Sequence, residues 1–404
     1  MNHYDVIIVG GGMVGATCAL ALAQQSTLSI GLLEAKPFIE PWAFSPYHHR
    51  VSAIALSSQR IFQSLNVWEA MKAKRVSPFT SIKVWDAAGQ AIQFDSHAIA
   101  EAVLGYIVEN NVIQSALNEK IQHYPQIQTI SPVRLKAFQQ KAHQIEFITT
   151  DDRVLTAKLA VAADGAHSWL REKTGIVIKQ YDYQQIAIVA TVKTALPHHK
   201  VARQIFLPSG PLAFLPLAEE NLSSIVWSLP VEEANHYLAL PENEFKLALA
   251  QAFSFHLGDI LDVGQRYSFP LYQQQAQQYI HGRVILIGDA AHVIHPLAGQ
   301  GVNLGLLDAA SLVEVITTAL KNRRDFSSLP TLRAYERWRK ADNMIMMRGV
   351  DIIKTSFEAF HTTGLNVIDK MEWIKNLFTS QAVGNRLGLP KLASNRYTPQ
   401  PSLA

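Results

Sequence analysis

The residues Gly10-Gly11-Gly12-Met13-Val14-Gly15 have the spacing of a backbone cradle for phosphate. Glycine at 10 permits a tight turn, glycine at 12 lets the main chain approach a pyrophosphate, and glycine at 15 lets a helix pack closely on a strand. A helix that starts here offers unpaired N–H groups and the positive end of its dipole to an anion. Glu34 follows 19 residues after Gly15, where a carboxylate can accept both hydroxyls of a ribose and would repel a 2′-phosphate. A second constellation is Ile285-Leu286-Ile287-Gly288-Asp289, an apolar run that delivers a Gly-Asp pair, with Pro296-Leu297-Ala298-Gly299-Gln300-Gly301-Val302-Asn303 shortly after it. Gly299 and Gly301 would let the backbone lie flat against a ligand. A third is Ala163-Asp164-Gly165, followed by Arg171; alone, it would serve equally well as a turn that caps a helix. His292 and His295 form an H-x-x-H pair, but no acidic or cysteine partner accompanies them as a metal site would need, so no metal is expected.

These groups must be positioned by regular elements. Tyr4 to Val9 reads as a buried strand, Met13 to Gln24 as a helix, and Ser29 to Leu33 as a second strand ending at Glu34. Val51 to Met71 has helical spacing through Ile54, Ile61, Phe62 and Leu65. A hairpin is expected over Ser81–Phe94, a helix over Asn110–His123, and strands near Ile127–Leu135, Ile145–Thr149 and Val154–Ala162. Gln184 to Leu229 alternates as an antiparallel sheet does. A helix over Glu242–His256, a strand over Arg283–Ile287 and a long helix over Gly301–Leu320 follow. The fold class is therefore α/β with an α+β insert: a discontinuous Rossmann-like nucleotide domain (1–78, 98–178 and 270–330), an inserted antiparallel-sheet substrate domain (79–97 and 179–269), and a helical C-terminal region (331–404).

The chain has 404 residues, 48% of them hydrophobic and 17% charged, a profile that excludes a disordered chain. Cys18 is the only cysteine, which excludes an intrachain disulfide and a cysteine metal cluster and suits a reducing, cytoplasmic compartment. Neither a signal peptide nor a spanning helix is read from the apolar runs. The net charge of +3 is uneven: Lys321 to Ala404 carries 14 Lys/Arg against 7 Asp/Glu. Such a basic end suits either an ordinary solvated helix face or a peripheral contact with the inner face of a membrane. The balance gives no reason to expect nucleic acid.

The fingerprint, the Asp-Gly motif and the Gly-Asp motif, in this order and spacing, resemble the para-hydroxybenzoate hydroxylase superfamily of flavin monooxygenases. Within it, Arg50-Val51-Ser52-Ala53-Ile54, Gly105-Tyr106-Ile107-Val108-Glu109-Asn110, Tyr181-Asp182-Tyr183-Gln184-Gln185 and the 296–303 stretch resemble the ubiquinone-biosynthesis hydroxylases. The resemblance implies FAD, held at its ADP end by Gly10, Gly12, Met13, Val14, Gly15, Glu34 and Ala35. Gly288 and Asp289 would meet the ribityl–phosphate link, and Pro296, Gly299, Gly301, Val302 and Asn303 the isoalloxazine ring. It ties Asp164 to both FAD and NAD(P)H and places Arg50 near FAD. At Asn110 this chain has a neutral side chain where the superfamily often has an arginine on phosphate. The implied reaction is hydroxylation of an aromatic ring with NAD(P)H and O2 through a flavin C4a-hydroperoxide, on a polyprenylated phenol, at a membrane or in a quinone-biosynthesis complex. A small soluble aromatic substrate, or a non-catalytic flavoprotein of such a complex, stay open as alternatives. No catalytic acid or base is identified.

Overall fold

The computed structural model describes residues 2–37, 42, 46–86, 91–294, 301–344 and 388–394. Its first sheet is built around five parallel strands in the order Val284–Leu286, Val154–Ala162, His3–Val9, Ile30–Leu33 and Ile127–Ile130. Their continuous apolar runs belong to strands covered on both faces. The helix Met13–Gln25 packs on this sheet and against the helix Gly301–Lys321, their shared surface rich in alanine and leucine. The registers Val9↔Ala162, Val9↔Leu33 and Ala162↔Leu286 bring neighbouring strands to an end at one edge. Gly10, Glu34, Asp164 and Gly288 therefore begin their loops side by side, at the carboxyl edge where open α/β sheets bind ligands.

The second sheet is antiparallel apart from one strand pair. The strands Tyr267–Ala276, Ile178–Thr194, Leu222–Pro230, Gly210–Pro216 and Val201–Leu207 lie in that order, extended by Ser81–Asp86 and Ala91–Asp95. Strand alternation gives it two different faces. Ile188, Ile225, Trp227 and Phe214 point one way, under the helices Val231–Ala239 and Glu242–Ala252. Ala187, Val189, Val226, Ala213 and Phe206 point the other way. On that side Ala202 and Phe206 pack with Ile294 and Leu304, which belong to the first sheet's ligand edge. The sheets are also joined directly, because His292–Val293 pairs with Tyr267–Ala276 through Gln275↔His292.

Some sequence-based expectations need correction. Val51–Ala55 is a strand, paired with Gly105–Glu109, and the helical stretch beyond it divides into Leu56–Ser64 and Trp68–Lys74. The pairing partner lies fifty residues away, so it overrides the local helical spacing. Leu135–Gln140 is a strand of its own, in a hairpin with Ile145–Thr149. Val231–Ala239 is an additional helix. One helix, Gly301–Lys321, does reach the length and hydropathy of a spanning segment, yet most of it lies inside the protein, where such an apolar helix belongs in a core. A helix over 329–344 closes the first sheet, and the expected helical region beyond 344 lies outside the described residues, except for a short turn at Lys391–Ala393.

The closing helix is tied down by Tyr335, fully buried, whose hydroxyl donates to the Leu286 carbonyl at 2.9 Å. Tyr335→Phe leaves that carbonyl short of a donor without opening a cavity. The expected outcome is a loss of about 1–2 kcal/mol, measured as a lower midpoint in thermal unfolding, with flavin content retained.

Candidate functional site

The three fingerprint glycines serve different purposes. Gly10 has φ +105°, and a Cβ there would stand 2.3 Å from the Ala163 carbonyl oxygen. A Cβ on Gly15 would stand 1.9 Å from the Gly10 carbonyl oxygen. The polypeptide itself demands these two. A Cβ on Gly12 would meet no atom within 4 Å, so the chain's own packing gives no reason for a bare backbone at that point. Gly12 caps the helix Met13–Gln25 with no side-chain acceptor and no acidic residue in the first turn. Its N–H groups thus remain available to an anionic ligand. Gly165 and Gly301 share this openness. Open backbone at Gly12 and Gly301 leaves room for a ligand to lie directly against the main chain.

Glu34 is held ready by the main chain. Its Oε2 accepts from the Gly11 N–H at 2.8 Å and its Oε1 from the Lys36 N–H at 3.0 Å. Each oxygen keeps a lone pair for a ribose hydroxyl. Ala35 is exposed beside it. Gln114, on the helix Asn110–Ile121, donates to the Gly11 carbonyl at 2.8 Å and fixes the loop from the other side.

The Gly288-Asp289 turn is organised by Asp308, a residue the sequence reading passed over. Its fully buried carboxylate accepts from the Gly288 N–H at 3.0 Å, His292 Nε2 at 2.6 Å and Arg339 Nε at 2.7 Å. Arg339 comes from the closing helix and is also fully buried. Burial pushes the Asp308 carboxyl up, but His292 and Arg339 outweigh it and hold it below its ordinary value. Val14 of the fingerprint wedges between Gly288 and Gly305, where added Cβ atoms would stand 3.2 and 2.7 Å from its methyls. Asp289 itself opens to solvent, yet the surrounding protein desolvates it and raises its carboxyl, against the pull of His292 and Arg50. A group in that state gains from any hydroxyl that donates to it. The signal for Asp308 was an acid among the apolar residues of the 301–321 helix; nothing local marked Arg339.

Other expected residues fall as follows. Asp164 is engaged by its own helix: the Ser168 hydroxyl donates to Oδ1 and the Leu170 N–H to Oδ2, and burial raises its carboxyl. Arg171 donates to the carbonyls of Ala290 and Ala166, which locks this loop to the Gly288-Asp289 turn. Asn303 turns its side chain away from the open edge, accepting from the Ala55 N–H and donating to the Ala53 carbonyl, so only its backbone remains for the ring. Asn110 accepts from the Ser52 hydroxyl. Arg50 is exposed, its guanidinium 5.5 Å from the Phe269 ring centre. Val302 is half-buried next to Gly301. Pro296, Gly299 and His295 lie outside the described residues. His292 spends Nε2 on Asp308.

The family described as FAD binding domain matches residues 3–348. Ubiquinone hydroxylase UbiL of Rhodospirillum rubrum is 34% identical over 387 residues, covering 94% of this chain and 89% of that protein. The 3-demethoxyubiquinol 3-hydroxylase of Escherichia coli is 33% identical over 395 residues, covering 97% of each. Among solved structures, Pseudomonas aeruginosa PqsL in complex with 2-aminobenzoylacetate superposes with a TM-score of 0.77 at 22% identity, over 88% of this chain and 97% of that one, a likeness of fold. The chain belongs to the FAD-binding monooxygenase family and, within it, groups with the ubiquinone-biosynthesis hydroxylases.

Two outcomes follow. Gly15→Val should fail to yield folded protein, whereas Gly12→Val should fold with an unchanged circular dichroism spectrum and lose the yellow absorbance of bound flavin. Asp308→Asn should cost about 3–5 kcal/mol at neutral pH by leaving Arg339 buried without its counter-charge. Because the folded carboxyl lies below its ordinary value of 3.8, its stabilisation is present above that pH and is lost as pH falls through the folded value. Thermal unfolding scanned from pH 7 to 3 should therefore show a shallower acid decline in the variant than in the wild type.

Proposed function

We propose that this member of the FAD-binding monooxygenase family hydroxylates the aromatic ring of a polyprenylated phenol in ubiquinone biosynthesis, using NAD(P)H and O2. The two sequence relatives are, by their names, hydroxylases of ubiquinone and of 3-demethoxyubiquinol, and they align along nearly the whole chain. The observation that carries the substrate reading is the inward face of the second sheet. Ala187, Val189, Val226, Ala213 and Phe206 form an apolar track across four of its strands, with Ser224, Ser228 and Gln204 on the same face beside it, and Phe206 and Ala202 share an apolar cluster with Ile294 and Leu304 at the flavin edge. A wall of this extent suits a prenyl tail, which gains about 25 cal/mol for every Å2 of apolar surface it removes from water.

FAD, when bound, supplies hydride acceptance and oxygen activation. The chain's own residues do the rest. Gly12 and the N–H groups after it would hold the pyrophosphate, and the Glu34 carboxylate the adenosine ribose. The backbone opening the 301–321 helix would face the ring, where its dipole stabilises negative charge as the ring is reduced. The apolar wall excludes water from the reacting centre. Asp164, through Ser168 and Arg171, keeps its loop in register with the Gly288-Asp289 turn.

The lipid character of such a substrate, with the surplus of positive charge after Lys321, supports a cytoplasmic protein that works at the inner membrane face or in a quinone-synthesis complex. Purified enzyme given a prenylated phenol should oxidise NAD(P)H faster than without it and place one oxygen atom from 18O2 in the product. Substrate-independent oxidation with no labelled product would refute the reading. Val226→Asp, a charge on the apolar wall, should raise KM for a prenylated phenol at least tenfold and leave flavin content unchanged. An equal KM in steady-state assays would show that the tail lies elsewhere.

A further inference from the structure

We propose that the buried ion pair Glu109–Arg75 is a positioning element that holds residues 47–50 between the strand Gly105–Glu109 and the second sheet and so sets Arg50 at the rim of the flavin edge. This rests on the expectation that Arg50 lies near the bound FAD.

The pair is almost sealed from water, with 2% of Glu109 and 8% of Arg75 exposed. Arg75 grips the carboxylate with two bonds, Nε to Oε2 at 2.7 Å and a terminal nitrogen to Oε1 at 3.0 Å. A desolvated pair of this kind is dear to build, and stability alone is weak reason for one. Its further contacts point to a reason. Glu109 Oε1 also accepts from the His48 N–H at 2.7 Å. The Arg75 guanidinium lies 3.7 Å from the ring centre of Tyr47, and the Tyr47 hydroxyl accepts from the Ala218 N–H of the second sheet's loop at 3.2 Å. His48 Nδ1 then accepts from the Arg50 N–H, and the Arg50 carbonyl from the Asn110 N–H.

Residues 47–50 thus have anchors on both sides. Glu109, Arg75 and Asn110 hold them from the cofactor half. Ala218, Tyr267 and Phe269 hold them from the other, where the His49 ring stacks on Tyr267 at 3.9 Å and Arg50 lies over Phe269. From this position the Arg50 charge opposes, without cancelling, the rise that burial gives the Asp289 carboxyl. The charge that Arg50 presents to the ligand edge is aimed by a pair that itself touches none of the expected cofactor residues except through this segment and Asn110, the residue that follows Glu109.

The test is a double-mutant cycle on the holoenzyme, read by FAD affinity from flavin fluorescence, together with hydrogen exchange over residues 46–50. Glu109→Gln should speed exchange of the His48 amide at least tenfold and weaken FAD several-fold, as Arg50→Met should. The double variant should bind FAD no more than twofold worse than Arg50→Met alone, because both changes act through one guanidinium. If Glu109→Gln fails to fold, Arg75→Lys carries the test: it keeps a cation beside Glu109 but loses the two-bond grip, and should likewise speed exchange at the His48 amide and weaken FAD no further than Arg50→Met does. Additive losses in the cycle, or unchanged exchange at His48, would overturn the positioning claim while the protein stays yellow. Faster exchange with wild-type FAD affinity in every variant would instead overturn the reading of Arg50 on which the claim rests.

Discussion

The structure depends on one constraint: polypeptide backbone, not side chains, must come within contact distance of a long anionic ligand along the edge of a parallel sheet. Side chains there would stand in the way, so glycines follow two of the strand ends, at 10 and 288, and the helix Met13–Gln25 begins without a side-chain cap. Gly10 and Gly15 let the chain approach itself, while Gly12, Gly165 and Gly301 keep backbone uncovered. The first two answer to the chain's own packing and Gly165, at φ +84°, to its backbone turn, while nothing in the packing demands glycine at 12 or 301. Val14 joins the two ends of the edge by filling the notch between Gly288 and Gly305.

Backbone that is bare must be stiffened from behind, and buried charge does this. Asp308 joins the 288–289 turn, His292 and the closing helix through one carboxylate. Glu109 does the same for the rim segment through Arg75 and His48. Both carboxylates are buried behind the open edge, and removing a partner from either would leave an unpaired charge in the core.

What could be read from the sequence was whatever is local. The strand–glycine–helix order around Gly12 and the acid at Glu34 form a short-range pattern, and the Ile285–Asp289 run ends as a buried strand should. The convergence of these ends on one edge follows from parallel pairing. Val51–Ala55 was misread because Ile54, Ile61 and Leu65 mimic a helix face, while its pairing with Gly105–Glu109 leaves no trace in nearby spacing. Asp308 with Arg339, and Glu109 with Arg75, are pairs separated by more than thirty residues, and no periodicity announces such a match. The spacing that places Asn303 beside Gly301 does not show that its side chain is bonded to the strand at 53–55, a contact across some 250 residues.

The account is tested most directly by a crystal structure of the protein grown with FAD. It predicts pyrophosphate oxygens within hydrogen-bond reach of the N–H groups at 12 and 13, ribose hydroxyls on Glu34, and the isoalloxazine ring lying against the backbone at 301–302. A cofactor bound away from the carboxyl edge of the parallel sheet, or reached mainly by side chains, would contradict it.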